Sequence, residues 1–225
     1  MKSKNNKLYF EWDTTSWSRA MKIWHKHLEL NRGNYALEIG GRNGSLSLML
    51  AKEYDMKVIC SDINNPEETA QILHKKHTTN HKIQYDTVDC TQILYESNHF
   101  DIVVFKSVIG ALGSAEKQRL AFQEIQRILK PGGVLLFAEN LNSSALHMYL
   151  RRKFNTWSAY WRYPELKEIQ LFLNKYNFVE LNTTGFFAAL IKNHFIRGFI
   201  TKFDHKFEKI LPKKLRYIVY GAAIK

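Results

Sequence analysis

Three glycines separate a short apolar run from a helix-like pattern near the start of the chain. The stretch ALEIGGRNGSLSLMLA places Gly40, Gly41 and Gly44 just after the acidic residue Glu38. In an open parallel sheet, ligands bind beyond the carboxyl ends of the strands, where a glycine-rich turn lets the backbone approach them. The spacing differs from the G-x-G-x-x-G turn of dinucleotide sites, which disfavours a nicotinamide dehydrogenase. Alone, the glycines would also suit a tight strand-to-helix connection.

Two acidic residues end the next two strand-like runs. Asp62 ends VICSD, where a carboxylate can accept hydrogen bonds from both hydroxyls of a ribose. Asp89 ends DTVD, near enough in such a fold to accept a hydrogen bond from an adenine amino group. Either residue alone would more often be a solvated loop residue or a helix cap. Together with the glycines, they predict a site shaped for adenosine.

Three titratable side chains near the later strand ends are candidate catalytic bases. Lys106 follows FDIVVF, Glu139 ends GVLLFAE, and His147 lies just beyond in NSSALHMYL. An oxygen acceptor must lose a proton to a base, and only histidine has an ordinary pKa near neutrality. The plainer alternatives are that Lys106 borders a carboxylate, Glu139 anchors a loop and His147 lies on a helix surface. No residues have metal-ligand spacing, so no metal is expected.

An aromatic cluster follows these candidates in the sequence. Tyr160, Trp161 and Tyr163 lie in AYWRYPE. Aromatic faces stack on sugar rings and flat molecules, so the cluster is a candidate acceptor wall. Packing in the hydrophobic core is the equally weighted alternative.

These residues require a particular set of elements to bring them together. Five strand-length apolar runs, YALEIG, KVICSD, KIQYDTVD, FDIVVFKS and GVLLFAENL, alternate with helical patterns such as SAEKQRLAFQEIQRILK. This alternation predicts an α/β fold with a parallel sheet and helices on both faces. The sequence also predicts two late strands, FVELNTTG and LRYIVYGAAIK. We expect one domain over 1–225, with a helical preface at 1–34, a cofactor-binding core at 35–141 and an acceptor-side half at 142–225.

The N-terminal preface contains an amphipathic pattern. Trp17, Met21, Trp24 and Leu28 recur at helical spacing and form one apolar stripe. We expect this helix to pack against the sheet.

Composition sets broader limits. The 225 residues are 45% hydrophobic, enough for one sizeable core. No apolar run approaches the roughly 20 residues of a membrane-spanning helix, and the start lacks a secretory signal, so we expect a cytoplasmic protein. Cys60 and Cys90 form no disulfide framework and are interpreted as structural thiols. The net charge of +12 indicates an anionic partner without identifying it.

The chain resembles the class I S-adenosylmethionine-dependent methyltransferases from about Tyr35 to Leu141. LEIGGRNG, CSDI, TVDC and FDIVVFKSVIGAL are similar to successive motifs of that family, and the most specific match is ILKPGGVLLFAE. The resemblance implies a Rossmann-like sheet of order 3-2-1-4-5-7-6, with an antiparallel seventh strand. It also implies S-adenosylmethionine as cofactor.

The resemblance assigns roles residue by residue. Asp62 would hold the ribose, Ile63 would pack on the adenine, and Asp89 would recognise the adenine amino group. The implied cofactor-binding set is Glu38, Gly40, Gly41, Gly44, Asp62, Ile63, Asp89, Cys90 and Lys106.

One position departs from the family's E-x-G-x-G-x-G pattern. Arg42 occupies the place of the central glycine. Its side chain must either turn away from the cofactor or reach over the methionine carboxylate as a charge-assisted donor. We expect the first arrangement.

The acceptor is less visible in the sequence. FKSV replaces the N-P-P-Y motif of base amino methylases, and neither cysteine has the Pro-Cys context of a cytosine-carbon methylase. We therefore expect methylation of a small molecule or glycan on oxygen, in a bacterial polysaccharide or secondary pathway. The alternative is a basic RNA-binding protein or RNA methyltransferase with the same fold.

A basic amphipathic segment precedes the last predicted strand. Within 191–214, Phe195, Phe199, Phe203 and Phe207 recur every fourth residue among lysines. Such a stripe suits burial against the domain or contact with an anionic membrane surface. The sharper hypothesis is a helical lid that brings the enzyme to a lipid-linked glycan, peripheral to the inner membrane face.

Overall fold

The structure is a computed structural model. It describes residues 5–11, 14–30, 33–154, 160–187, 191, 200–201, 204, 206–208 and 210–225. The strands are β1 Tyr35–Ile39, β2 Lys57–Asp62, β3 Ile83–Thr87, β4 Phe100–Lys106, β5 Leu129–Asn140, β6 Phe178–Thr184 and β7 Ile218–Ile224. The α-helices of this described part are α1 Asn6–Phe10, α2 Thr14–Trp17, α3 Ala20–Leu30, α4 Ser45–Glu53, α5 Glu67–Lys76, α6 Ala115–Ile128, α7 Ala145–Phe154 and α8 Leu166–Phe172.

All seven strands form one sheet of order β3-β2-β1-β4-β5-β7-β6. Strands β1 to β5 run parallel, and β7 is antiparallel to both β5 and β6. The predicted fold class, strand order and antiparallel seventh strand are confirmed. The sheet contains strands of both predicted parts, 35–141 and 142–225. Its parallel register places the carboxyl ends of β1 to β4 along one edge, which is where parallel sheets bind ligands.

The central strands are apolar on both faces because helices cover both sides of the sheet. In β1, Ala36 faces the core beneath α1, α3 and α4, and Leu37 faces the core beneath α6 and α8. In β4, Val104 and Phe105 alternate in the same way. All four side chains are fully buried. Helices on opposite faces thus hold the central strands, and with them the loops at the ligand edge, in fixed positions.

The N-terminal preface differs from the single helix that the sequence predicts. Hydrogen bonds of the i→i−3 type around residues 19–22 separate α2 from α3, and Arg19 Nη1 donates to Thr184 Oγ1 at 2.7 Å. The predicted stripe is nevertheless buried at Trp17, Trp24 and Leu28. The Trp24 indole donates to the carbonyl of Gly221 at 3.0 Å, which fixes α3 on β7.

Half of the basic segment at 191–214 lies outside the described residues, including Phe195, Phe199 and Phe203. Among the described ones, Phe207 and Ile210 are 50% and 81% exposed. In the described part of the chain, no helix has the length and apolar character needed to cross a bilayer.

A buried histidine lies beneath the glycine turn that joins β1 to α4. His74, on α5, has its Nε2 2.8 Å from the carbonyl oxygen of Gly44 and its Nδ1 2.8 Å from the Tyr85 hydroxyl. A Cβ added at Gly44, whose φ is +72°, would lie 2.4 Å from the His74 ring. Glycine is therefore required there. Burial lowers the pKa of His74, because the charged imidazolium is poorly solvated inside the protein.

This lowered pKa predicts a specific loss of stability in acid. Below about pH 6.5 the unfolded chain binds the proton that folded His74 resists, so the free energy of unfolding falls as pH decreases. Chemical denaturation between pH 7.5 and pH 5 should show a shallower fall for His74→Gln than for the wild type. The slopes should differ by up to about 1.4 kcal/mol per pH unit, the value for one proton. Parallel curves would contradict this assignment, whatever the offset between them.

Candidate active site

A cavity of about 910 Å³ lies at the ligand edge of the sheet. Its wall contains residues at or just beyond the carboxyl ends of the strands β1 to β5, together with Glu11 and Trp17 from the N-terminal preface. The volume is within the range of roughly 300–1,000 Å³ that small-molecule sites occupy. Trp17 of the predicted apolar stripe thus lines the cavity as well as packing in the core.

The glycine turn after β1 forms one side of this cavity. Gly41 donates its backbone N–H to the carbonyl of Ser61 at 2.8 Å, which ties the turn to β2. Gly40 has a φ of +69°, and a Cβ added to it would lie 2.3 Å from Val108 Cγ2. The turn thus lies directly against the loop that follows β4. This close approach excludes any larger residue at position 40.

Glu38 connects β1 to the first turn of α4. Its carboxylate accepts hydrogen bonds from the backbone N–H groups of Leu46, at 3.3 Å, and Ser47, at 2.8 Å. The Ser47 hydroxyl donates a third. The two backbone N–H groups are among those that a helix N-terminus leaves without intrahelical partners. Burial raises the pKa of Glu38 to about 7, against the opposing effect of the hydrogen bonds from Ser47.

Asp62 and Ile63 form the wall at the end of β2. Asp62 accepts the backbone N–H of Arg42 at Oδ2, at 3.1 Å, and that of Ile63 at Oδ1, at 2.7 Å. Each carboxylate oxygen has two acceptor sites, so the same group retains capacity for further donors. Ile63 is 58% exposed on the cavity wall. An exposed large apolar side chain beside a fixed carboxylate suits a ligand that joins a flat ring to a group with several hydroxyls.

Asp89 and Cys90 follow β3 on the same wall. Asp89 Oδ1 accepts hydrogen bonds from both the backbone N–H and the hydroxyl of Thr91, at 2.8 and 2.7 Å. The carboxylate is held in one orientation while the residue stays exposed. Burial raises the pKa of Cys90 to about 12, so this cysteine lines the cavity as a neutral thiol.

Arg42 lies in the turn with a backbone conformation that glycine would favour. Its φ is +49°, in the left-handed region, which costs a residue with a Cβ about 1–2 kcal/mol. The residue is exposed and lines the cavity. Whether its side chain turns away from a ligand or reaches over it stays a prediction.

Lys106, at the end of β4, links the cavity to the N-terminal preface. Its side chain is 7% exposed, and Nζ donates to the carbonyl of Phe10 at 3.3 Å and lies 4.0 Å from Glu11 Oε2. Burial lowers the pKa of Lys106, and the neighbouring carboxylates of Glu11 and Glu38 oppose this effect. The sequence did not predict Glu11 as a site residue. The signal available was an acidic residue in EWDTTSW, just before the helix predicted to pack against the sheet.

Comparison with known proteins supports the predicted resemblance. Residues 37–137, somewhat less than half of the chain, match the family described as "Methyltransferase domain". The resemblance to class I S-adenosylmethionine-dependent methyltransferases, predicted from the motifs, is confirmed, and the match extends from within β1 into β5.

Curated proteins match parts of this chain at modest identity. The chain is 29% identical over 128 residues to the ubiquinone/menaquinone biosynthesis C-methyltransferase UbiE of Hydrogenovibrio crunogenus, covering 52% of this chain and 48% of that protein. It is 25% identical over 168 residues to phosphoethanolamine N-methyltransferase 2 of Caenorhabditis elegans, covering 72% of this chain and 36% of that protein. The chain thus spans about half or less of the length of these relatives.

Solved structures share the fold over nearly the whole chain. Phosphoethanolamine N-methyltransferase 2 of Haemonchus contortus, solved with phosphomonomethylethanolamine and S-adenosylhomocysteine, superposes with a TM-score of 0.66 at 18% identity, covering 93% of this chain and 52% of that one. The [4+2]-cyclase SpnF gives a TM-score of 0.66 at 16% identity, covering 95% and 85%. Since one neighbour is a cyclase, the fold alone does not determine the reaction. The reaction has to be inferred from the residues of the site.

The three predicted bases do not come together. Glu139 accepts the backbone N–H groups of Val108 and Ile109, at 2.8 and 2.7 Å, and is fully buried. It therefore anchors the loop after β4, and burial raises its pKa to about 7. His147 is also fully buried, with Nε2 3.0 Å from the carbonyl oxygen of Phe186, so its placement on a helix surface was wrong. Only Lys106 of the three lines the cavity.

The aromatic cluster is divided between the two predicted roles. Tyr160 and Trp161 line the cavity, and Tyr160 is 68% exposed. Tyr163 is 8% exposed and packs against Trp161 with ring centroids 6.0 Å apart. Two rings thus form a wall and the third supports it. In the described part of the chain, no group of three or more histidine, cysteine or acidic side chains is arranged to hold a metal ion.

The contacts of Glu38 predict a structural role that is measurable without any ligand. Glu38→Ala leaves buried N–H donors of α4 without their acceptor, so the free energy of unfolding should fall by about 1–3 kcal/mol. Ser47→Ala removes only one donor and should lose less. Urea denaturation measures both variants. A Glu38→Ala protein as stable as the wild type would contradict the assignment of this carboxylate to the start of α4.

Proposed function

We propose that this chain transfers the methyl group of S-adenosylmethionine to a small-molecule acceptor. The observation that carries the proposal is the arrangement of the glycine turn, Asp62 with Ile63, and Asp89 after three neighbouring strands, around one cavity. Binding of adenosine needs acceptors for the ribose hydroxyls and the adenine amino group, with an apolar surface between them. The described residues supply each of these features.

The residues present fit the cofactor's parts in order along the sheet edge. The glycine turn beside Glu38 would hold the methionine part, Asp62 the ribose, and Asp89 the adenine amino group. Covering Ile63 with adenine would remove its exposed apolar side chain from water, which is favourable at about 25 cal/mol per Å². When bound, S-adenosylmethionine supplies a methyl group on a positively charged sulfur.

The chain's own contribution to transfer would be mainly positioning. Methyl transfer is an in-line displacement, so holding donor and acceptor at attack distance supplies much of the rate enhancement. Glu139 fixes the loop after β4, Glu38 fixes the start of α4, and Trp17 lines the cavity between them.

We further propose that the acceptor of the methyl group is a hydroxyl oxygen on a small molecule or glycan. Support comes from Tyr160 and Trp161, whose faces on the cavity wall suit a sugar ring or a flat acceptor. Two relatives are named for other acceptor atoms, carbon in a quinone pathway and nitrogen in phosphoethanolamine. Product NMR after incubation with S-adenosylmethionine that carries a ¹³C-methyl group identifies the methylated atom directly. A role for His147 or Glu139 in proton removal stays a prediction.

Loss of Asp62 should weaken cofactor binding. Asp62→Ala removes the acceptor for the ribose, and the dissociation constant of S-adenosylhomocysteine should rise about 10- to 150-fold, or about 1.5–3 kcal/mol. Isothermal titration calorimetry measures it. Asp86→Ala is the matched control, because Asp86 also accepts its neighbour's backbone N–H but does not line the cavity. Unchanged affinity in a folded Asp62→Ala protein would remove this residue from the site.

Membrane contact through the basic segment is a further part of the proposal. Phe207 and Ile210 expose large apolar side chains, and Lys206, Lys213 and Lys214 lie close by in sequence. Apolar anchors beside lysines suit an anionic lipid surface. A glycan acceptor linked to lipid would then be presented at that surface.

Sedimentation with liposomes tests this contact. The protein should pellet with phosphatidylserine vesicles at low salt and less so as salt screens the charges. Replacing Lys206, Lys213 and Lys214 by glutamate should abolish pelleting. Replacing Lys75 and Lys76, on the exposed side of α5, should matter far less. A wild-type protein that stays in the supernatant at low salt contradicts membrane contact.

A further inference from the structure

Glu11 lines the cavity and adopts an unusual backbone conformation. It follows α1 with a φ of +58°, in the left-handed region that residues with a Cβ avoid. Such strain persists only where surrounding contacts impose it, and it is frequent at functional sites. Glu11 lines the cavity, on the side formed by the glycine turn and the end of β4.

Two contacts hold the Glu11 carboxylate in place. Asn43 of the glycine turn donates its side-chain amide to Glu11 Oε1. Lys106 Nζ lies 4.0 Å from Glu11 Oε2 and donates to the carbonyl of Phe10, the preceding residue. The N-terminal preface therefore adds a negative charge beside a buried positive charge, and both charges line the same part of the cavity.

This pair is too open to be explained as a tight structural ion pair. Lys130 and Asp101, at the other end of the sheet, lie 2.9 Å apart, whereas Glu11 and Lys106 are separated by 4.0 Å. Lys106 is 7% exposed and Glu11 is 25% exposed, so the pair is partly desolvated and still accessible from the cavity. A partly desolvated charge binds an oppositely charged ligand group more strongly than a fully solvated one does.

We propose that Glu11 and Lys106 together recognise the α-amino acid end of S-adenosylmethionine. Glu11 accepts hydrogen bonds from the ammonium group, and Lys106 donates to the carboxylate. Both groups of an α-amino acid are attached to one carbon, so their binding partners must lie side by side with opposite charges. This inference rests on the proposed function, because the glycine turn next to the pair is the expected site of the methionine part.

Binding of the cofactor carboxylate also fixes the role of Lys106 in the site. A lysine held between Glu11 and a bound carboxylate stays protonated, so Lys106 serves the cofactor and does not take the acceptor's proton. A ligand contact also agrees with the left-handed φ of Glu11, because strained residues are frequent at functional sites. Ligands that contain adenosine but lack the amino acid should be insensitive to Glu11.

The test compares two ligands by calorimetry on the full chain. S-adenosylhomocysteine carries the amino acid, and 5′-methylthioadenosine lacks it. For Glu11→Gln, the dissociation constant of S-adenosylhomocysteine should rise at least tenfold, while that of 5′-methylthioadenosine changes less than twofold. Equal weakening of both ligands, or no change for either, would overturn the inference.

A matched control separates recognition from loosening of the preface. Glu53 also ties this segment to α4, accepting hydrogen bonds from Asn5 at 2.8 Å and Tyr9 at 2.6 Å, but it does not line the cavity. Glu53→Gln should leave the ratio of the two affinities unchanged, and a selective loss there would overturn the inference. If wild-type protein binds neither ligand, the proposed function itself fails. If it binds both and Glu11→Gln has no effect, only the Glu11 assignment fails.

Discussion

The site depends on how buried carboxylates hold the backbone loops at the ligand edge of the sheet. Glu38 accepts the N–H groups that begin α4, and Glu139 accepts those of the loop after β4. Both are fully enclosed, and burial raises the pKa of each to about 7. A buried acceptor of this kind is costly unless several donors satisfy it. Because backbone donors do so here, the loops are fixed before any ligand binds.

This arrangement separates residues that shape the cavity from residues that can address a ligand. Glu38 and Glu139 are committed to the backbone, whereas Asp62 and Asp89 are held by short local hydrogen bonds and remain on the wall. Preorganised groups of this kind bind without first being ordered, which lowers the cost of association. Lys106 completes the cavity by joining the end of β4 to the N-terminal preface. The preface is therefore part of the site.

The sheet was predictable because its signals are local and repeated. Strand-length apolar runs, helical periodicity and the glycine turn specify the order of elements, and the family motifs specify the topology. Contacts between residues that lie far apart in the sequence were not predictable in the same way. The sequence does not show that His147 packs beneath Phe186, or that Glu11 reaches Lys106 from 95 residues away. Contacts between distant segments depend on packing, for which a single sequence carries no periodic signal.

The cavity is proposed to bind S-adenosylmethionine in the order of the strand ends. A crystal structure with S-adenosylhomocysteine would show this arrangement. We expect the methionine part at the glycine turn, the ribose hydroxyls on Asp62, and the adenine between Ile63 and Asp89. A ligand bound elsewhere, or with its adenosine away from these residues, would contradict it.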